Sequence, residues 1–126
     1  MITYYTTKEE KQIGHLDCVV RYPDGREEIL QNTGHHSPDG FQIGYGGSGP
    51  ADLAFSILMH FFLSNKISEK GSRDLVFNYY QKFKNDFIVP AKTILCITDI
   101  EITKWIGDKG YFKSEKLKAL DDGKIE

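Results

Sequence analysis

The stretch Gly44-Tyr-Gly-Gly-Ser-Gly-Pro-Ala-Asp-Leu-Ala54 decides how the rest of this chain is read. Four glycines, Gly44, Gly46, Gly47 and Gly49, fall within six residues, and Pro50 follows at once. Glycine permits positive φ and close backbone approach. Proline suits the first turn of a helix, where its missing N–H has no partner to lose. The stretch therefore predicts a short strand at 41–43, a glycine turn, and a helix from about Pro50 to Leu63. Such a helix start aims N–H groups and the positive end of a dipole at one spot, where an anion could sit. Asp52 is expected in the first turn, and its carboxylate would repel that anion.

The helix reads as apolar almost all round. Asp52, Ser56, His60 and Ser64 form a single polar line at i, i+4 spacing. A surface helix would carry a broad polar face, so this one belongs at the centre of the fold. It is too short, and too interrupted by Asp52 and His60, to span a membrane. Phe55, Met59 and Leu63 extend the apolar surface beyond one core face, which predicts a homodimer burying Phe55, Met59 or Leu63.

Outward from this helix, strands come first and helices second. Ile2–Thr7 and His15–Tyr22 read as strands, with 8–12 as a charged turn or loop between them. Pro23-Asp24-Gly25 is a turn signal, and Arg26–Leu30 returns as the hairpin partner. Residues 32–40 form a loop by composition. After the central helix, 65–71 reads as a polar linker and Ser72 as the N-cap of a second helix over 73–85. Residues 87–90 and 93–97 read as extended. Thr98-Asp-Ile-Glu101 is a capping-box pattern that opens a short helix through Ile106, with Gly107 as its stop. The order predicts an α+β fold, a small antiparallel sheet packed on a central hydrophobic helix with two further helices. Residues 1–112 are expected to form one domain and 113–126 a charged, loosely held tail.

Composition narrows the function classes. The chain has 126 residues, 40% hydrophobic and 13% aromatic, enough for a core. A formal net charge of −2 argues against DNA, RNA or an acidic membrane as the main partner. No apolar leader opens the sequence, so a cytoplasmic protein is expected. Cys18 and Cys96 lie in strand-like segments and read as reduced core residues. No zinc-type cysteine spacing is present.

The residues Ser37-Pro-Asp-Gly-Phe-Gln-Ile-Gly-Tyr-Gly-Gly-Ser-Gly-Pro-Ala-Asp-Leu-Ala54, followed by Ile57-Leu58, resemble a family of small bacterial and phage proteins known only as a domain of unknown function. Its members share S-P-x-G-F-x-x-G-Y-G-G-S-G-P-A-x-L-A-x-x-I-L. The resemblance is close over roughly a sixth of the chain and implies no established activity. Its phage members imply an accessory protein of a virus or mobile element.

The candidate chemistry gathers at the glycine stretch. It lacks the G-x-x-x-x-G-K-[ST] spacing of a Walker loop. Gly44, Gly46 and Gly49 fit G-x-G-x-x-G, but without the parallel βαβ unit that gives that pattern meaning. The glycines serve either a tight packed turn or a ligand wall. For a ligand wall, Tyr45, Gly46, Gly47, Ser48 and Gly49 are the binding residues, with His35, His36 and Arg26 as donors or balancing positive groups. His60 is expected to be hydrogen-bonded and semi-buried. Glu27-Glu28 and Asp121-Asp122 read as solvated charges. No catalytic set, metal site or cofactor is expected.

Three functions follow, in descending order. The first is non-catalytic binding of a phosphorylated or nucleotide-like ligand, for example to sequester a host signalling nucleotide. The second is a protein-interaction module that inhibits or adapts a host or phage partner. The third is a small hydrolase using His35 or His36.

Overall fold

The computed structural model describes residues 1–7, 16–35 and 40–108. The charged segment 8–12, His36, Asp121-Asp122 and the tail from Lys113 lie outside them. Four strands form one antiparallel sheet: β1 (Thr3–Thr6), β2 (Cys18–Arg21), β3 (Glu27–Ile29) and β4 (Cys96–Thr98), in the order β3-β2-β1-β4. The β2–β3 turn is the one that Pro23-Asp24-Gly25 encodes. Gly25 takes φ +89°, its N–H donates to the Tyr22 carbonyl at 2.9 Å, and Tyr22 N–H donates to the Arg26 carbonyl at 2.8 Å.

Alternation divides the sheet into two faces. Tyr4, Thr6, Cys18, Val20 and Ile97 are buried on the inner face. Tyr5, Arg21, Glu27 and Ile29 lie on the outer face, where the Arg21 Nε and the Tyr5 hydroxyl both donate to Glu27 Oε2 at 2.7 Å. The register pairs Tyr5 with Cys96, which puts Cys96 on this outer face and leaves it exposed. The expectation of two core cysteines is therefore corrected. Cys18 is buried and Cys96 is not.

The inner face packs on α1 (Ser48–Ser64), the central helix. Residues 49–59, Phe61 and Phe62 are all buried. A second helix, α2 (Glu69–Phe83), covers another side, and the rings of Phe77 and Tyr80 meet the Phe55 ring edge-on at 5.4 and 5.3 Å. The third helix, α3 (Asp99–Asp108), adds buried Ile102, Trp105 and Ile106. Phe55 and Met59 are thus covered within a single chain, and of the three residues assigned to a dimer contact only Leu63 is exposed. The premise for that contact, an α1 too apolar for one chain to enclose, is overturned.

Helix ends follow local chemistry, with two departures from expectation. The capping box at α3 is reciprocal: Glu101 N–H donates to Thr98 Oγ1 at 3.2 Å and Thr98 N–H to Glu101 Oε1 at 3.1 Å. Gly107 sits inside α3 rather than ending it at Ile106. For α2 the cap is Ser68, not Ser72; the Ser68 hydroxyl accepts from Gly71 N–H at 3.1 Å. Ser72 faces the core and donates to the Ile67 carbonyl at 3.3 Å. Residues 84–88, followed by Val89, continue α2 as a π-helical turn instead of an extended segment, with Val89 N–H on the Lys84 carbonyl at 2.9 Å. The wider turn lets Phe87 reach Phe83 and Trp105, at ring separations of 5.0 and 5.9 Å, while Ile88 stays fully buried.

Enclosure of α1 makes a contrast that denaturation can read. Leu58→Ala, at a fully buried site, should lower the unfolding free energy by about 2–5 kcal/mol. Leu63→Ala, at a position 43% exposed, should change it by less than about 0.5 kcal/mol. Similar losses in urea titrations of the two variants would contradict the enclosure.

Candidate functional site

The glycine segment sits between the sheet and the π turn. Phe41 makes one bridge, to Leu16, whose N–H donates to the Phe41 carbonyl at 2.8 Å; the expected strand at 41–43 is this single pair. Gly44 has φ +88° and donates its N–H to the Ile88 carbonyl at 3.0 Å. A Cβ there would lie 3.2 Å from the Ala91 carbonyl oxygen, so backbone and packing both require glycine. Two residues on, Lys84 Nζ reaches the Gly46 carbonyl at 3.3 Å. The π turn therefore holds the segment at two points and brings an ammonium beside it. Tyr45 is exposed, and its hydroxyl donates to Gln42 Oε1.

The helix begins at Ser48, two residues before the expected start, with Gly47 as an extended N-cap that supplies no side-chain cap. Pro50 stays within the first turn, as proline prefers. Asp52 moves to the second turn, which leaves the first turn without an acidic residue. Its carboxylate is fully buried and accepts from Asn32 Nδ2 at 3.3 Å. Gly34 packs so close that a Cβ on it would fall 2.4 Å from Asp52 Oδ1. The expected repulsion of an anion by a first-turn Asp52 is thereby corrected, because the carboxylate is turned into the loop at 32–34.

The other expected site residues separate. Gly46, Gly47, Ser48 and Gly49 are contiguous at the α1 start, with Tyr45 beside them. His35 is exposed, at φ 58°, with its N–H on Asn32 Oδ1 at 3.0 Å, next to the glycine that packs on Asp52. His36 lies outside the described residues. Arg26 belongs elsewhere: its guanidinium stacks 4.2 Å from the Tyr22 ring centroid. Tyr22 in turn touches His60, twelve residues along α1 from Ser48, or about 18 Å of helix.

That second place is a polar network, whose members read in the sequence as scattered aromatics and one semi-buried histidine. Ser56 Oγ accepts from Thr33 N–H at 2.9 Å. His60 lies 2.8 Å from the Tyr4 hydroxyl through Nδ1 and 2.9 Å from the Tyr22 hydroxyl through Nε2. Tyr22 donates its proton to Glu28. Its oxygen must then accept from His60 Nε2–H, which makes Nδ1 the acceptor for Tyr4. The protons run one way, from buried Tyr4 through His60 and Tyr22 to exposed Glu28. Burial holds the His60 pKa below its ordinary value, against the pull of Glu28. Burial first, then the bond to Glu28, pushes Tyr22 up to about 12. With both ring nitrogens engaged, His60 acts as a structural crosslink between sheet and helix. A groove of about 230 Å³ lies over it, bordered by Glu28, Thr33, Met59 and Leu63. The sequence signal for the network was the i, i+4 polar line itself, since buried polar groups need partners.

Among the described residues, no three His, Cys, Asp or Glu side chains converge as a metal site, and no helix is long and apolar enough to cross a membrane. Residues 10–108 match the model of a family of unknown function, DUF6166, and the chain belongs to that family. The match takes in the β2–β3 hairpin, the glycine segment and all three helices. Searches of curated proteins and of solved structures gave no match.

The His60 network carries a pH dependence of definite sign. The folded state favours neutral His60, so the unfolded chain takes up the proton first. The contribution is fully present above pH 6.5, the ordinary histidine value, and is lost as pH falls from there through the folded value. Glu28, lowered chiefly by its bond from Tyr22, adds a loss in the same direction at more acid pH. Thermal melts from about pH 7 to 5.5 should show a falling melting temperature, with a clearly shallower slope in His60→Gln. Parallel slopes in the two proteins would contradict the assigned charge state.

Proposed function

We propose that this member of the family binds a small phosphorylated or nucleotide-like anion at the start of α1 without turning it over. The observation that carries the reading is Gly46. Its φ lies outside the left-handed region, and a Cβ there would meet nothing within 4 Å. Gly47 differs: its backbone is extended, but a Cβ would run into the ring of the exposed Tyr45, which would have to move aside. Glycine in place of alanine costs conformational entropy, so a glycine at 46 that neither turn nor packing demands suits a surface that a ligand approaches closely.

The surroundings suit an anion. The first N–H groups of a helix have no intrahelical partner and carry the positive end of its dipole. Ser48 adds an exposed hydroxyl, Lys84 a positive charge, and Tyr45 a ring on which a base could stack. The π turn clamps the segment before any ligand arrives, which lowers the ordering cost of binding. If the chain acts in a phage setting, the ligand class narrows to host signalling nucleotides and the role to sequestration. A second reading, a protein-interaction module, is favoured by Ile29 and Leu63, both exposed beside the groove over His60.

Titration calorimetry with phosphate, mononucleotides and cyclic nucleotides tests the first reading. Gly47→Val should abolish binding and shift the melting temperature only slightly, since the ring it displaces faces solvent. Lys84→Gln should weaken binding about tenfold, equivalent to about 1.4 kcal/mol. No binding to any of these ligands at millimolar concentration, or binding that both variants retain, would contradict it.

A further inference from the structure

The strand β3 is one edge of the sheet, and it borders the groove over His60. Two bonds fix the phase of its ladder: Tyr22 N–H on the Arg26 carbonyl and Leu30 N–H on the Cys18 carbonyl, each at 2.8 Å. With Val20 opposite Glu28, they direct the backbone groups of Glu28 toward β2 and turn the N–H and C=O of Glu27 and Ile29 outward. Among the described residues those outward groups have no hydrogen-bond partner. All three residues of β3 are exposed, and no lysine or proline protects the run from Glu27 to Gln31. The opposite edge differs, because the Thr98 N–H at the end of β4 is taken by Glu101.

The groove lies between this edge and the last turns of α1. Glu28, Ile29 and Leu30 border it on the sheet side, and Met59, His60 and Leu63 on the helix side. Glu28 is the one charged group on its lining, since burial disfavours the protonated form of His60. The Glu28 side chain is 47% exposed, so a partner can reach its carboxylate. The negative end of the α1 dipole lies on the same side, and the last turn of α1 holds no basic residue to offset it. We propose that an extended peptide segment adds to β3 as a fifth, antiparallel strand and sets a lysine or arginine opposite Glu28. The proposal rests on the second reading above, in which this surface takes a protein partner, and names that partner's chemistry. Main-chain bonds to Glu27 and Ile29 hold the segment, and its alternate side chains enter the groove. The basic residue is opposite Glu28, and the residue two before it, opposite Leu30, brings an apolar side chain to the groove. A second copy of this chain offers only the same strand. Self-pairing centred on Glu28 sets two Glu28 carboxylates opposite each other, and the run from Glu27 to Gln31 holds no basic residue to relieve them.

The test is an NMR titration of the full chain with the N-acetylated, C-amidated peptide Thr-Thr-Val-Thr-Lys-Thr-Thr, up to millimolar concentration. Saturable shifts are expected at the Glu27, Ile29 and Leu63 amides, and glutamate in place of the peptide's lysine should weaken binding about tenfold. Glu28→Gln should erase that difference. N-methylation of either threonine flanking the lysine should abolish binding, because those N–H groups face β3, whereas N-methylation of the lysine should not. Ile29→Pro should abolish binding at an unchanged melting temperature, since the N–H it removes lies on the free edge. Equal binding of the glutamate peptide, or binding that Ile29→Pro retains, would overturn the proposal. So would a dimer in sedimentation that Ile29→Pro dissociates, since a second copy would then be the occupant. Shifts lost in Leu63→Glu but indifferent to N-methylation would overturn strand addition and leave the groove an interaction surface. No saturable shift with either peptide would count against both.

Discussion

Burial of α1 on every side is the constraint on which the rest of this structure depends. A helix enclosed all round must bury its polar line as well as its apolar faces, and buried polar groups must be paired. Asp52, Ser56 and His60 find their partners in Asn32, Thr33, Tyr4 and Tyr22, all distant in sequence. Apolar burial supplies the driving force, at about 25 cal/mol per Å² of apolar surface, but it is non-directional. The polar line gives it direction. A sheet shifted by one residue along α1 would take Tyr4 and Tyr22 away from His60.

The same constraint sorts the glycines. Gly34 lets the loop lie against Asp52, and Gly44 turns the chain under Ala91. Gly47 makes room for the Tyr45 ring, and Gly46 answers to neither need, which is why the start of α1 stands out as a surface rather than a joint. The π turn ties the two regions together. It gives Phe87 to the core, the Ile88 carbonyl to Gly44, and Lys84 to the Gly46 carbonyl. π-helical turns recur near functional sites, where one extra residue re-aims its neighbours.

Much of this fold was legible in the residues, and the misreadings have physical causes. Pro23-Asp24-Gly25 and Thr98-x-x-Glu101 act through their immediate neighbours, so their hairpin and cap could be read directly. The α+β class followed from the order of strands and helices. Ser72 reads as the cap because 65–71 is polar throughout, yet Gly71 lies in the first turn of α2 and supplies the N–H that Ser68 caps. The π turn depends on Phe83, Phe87 and Trp105 meeting in space, which no local pattern reports. Cys96 reads as a core residue locally, but the face of a three-residue strand is set by its register against β1. At the candidate site, Tyr45 and residues 46–49 are neighbours because they are consecutive. Lys84 and the displacement of Arg26 toward Tyr22 are tertiary facts.

Native-state hydrogen exchange tests the central claim most directly. If α1 is the enclosed element that sheet, loop and helices all brace, its amides from Leu53 to Phe62 should exchange only through global unfolding. Their exchange free energies should then equal the unfolding free energy from denaturant titration. Faster exchange in α1, through an opening that leaves β1 and β2 protected, would contradict the account.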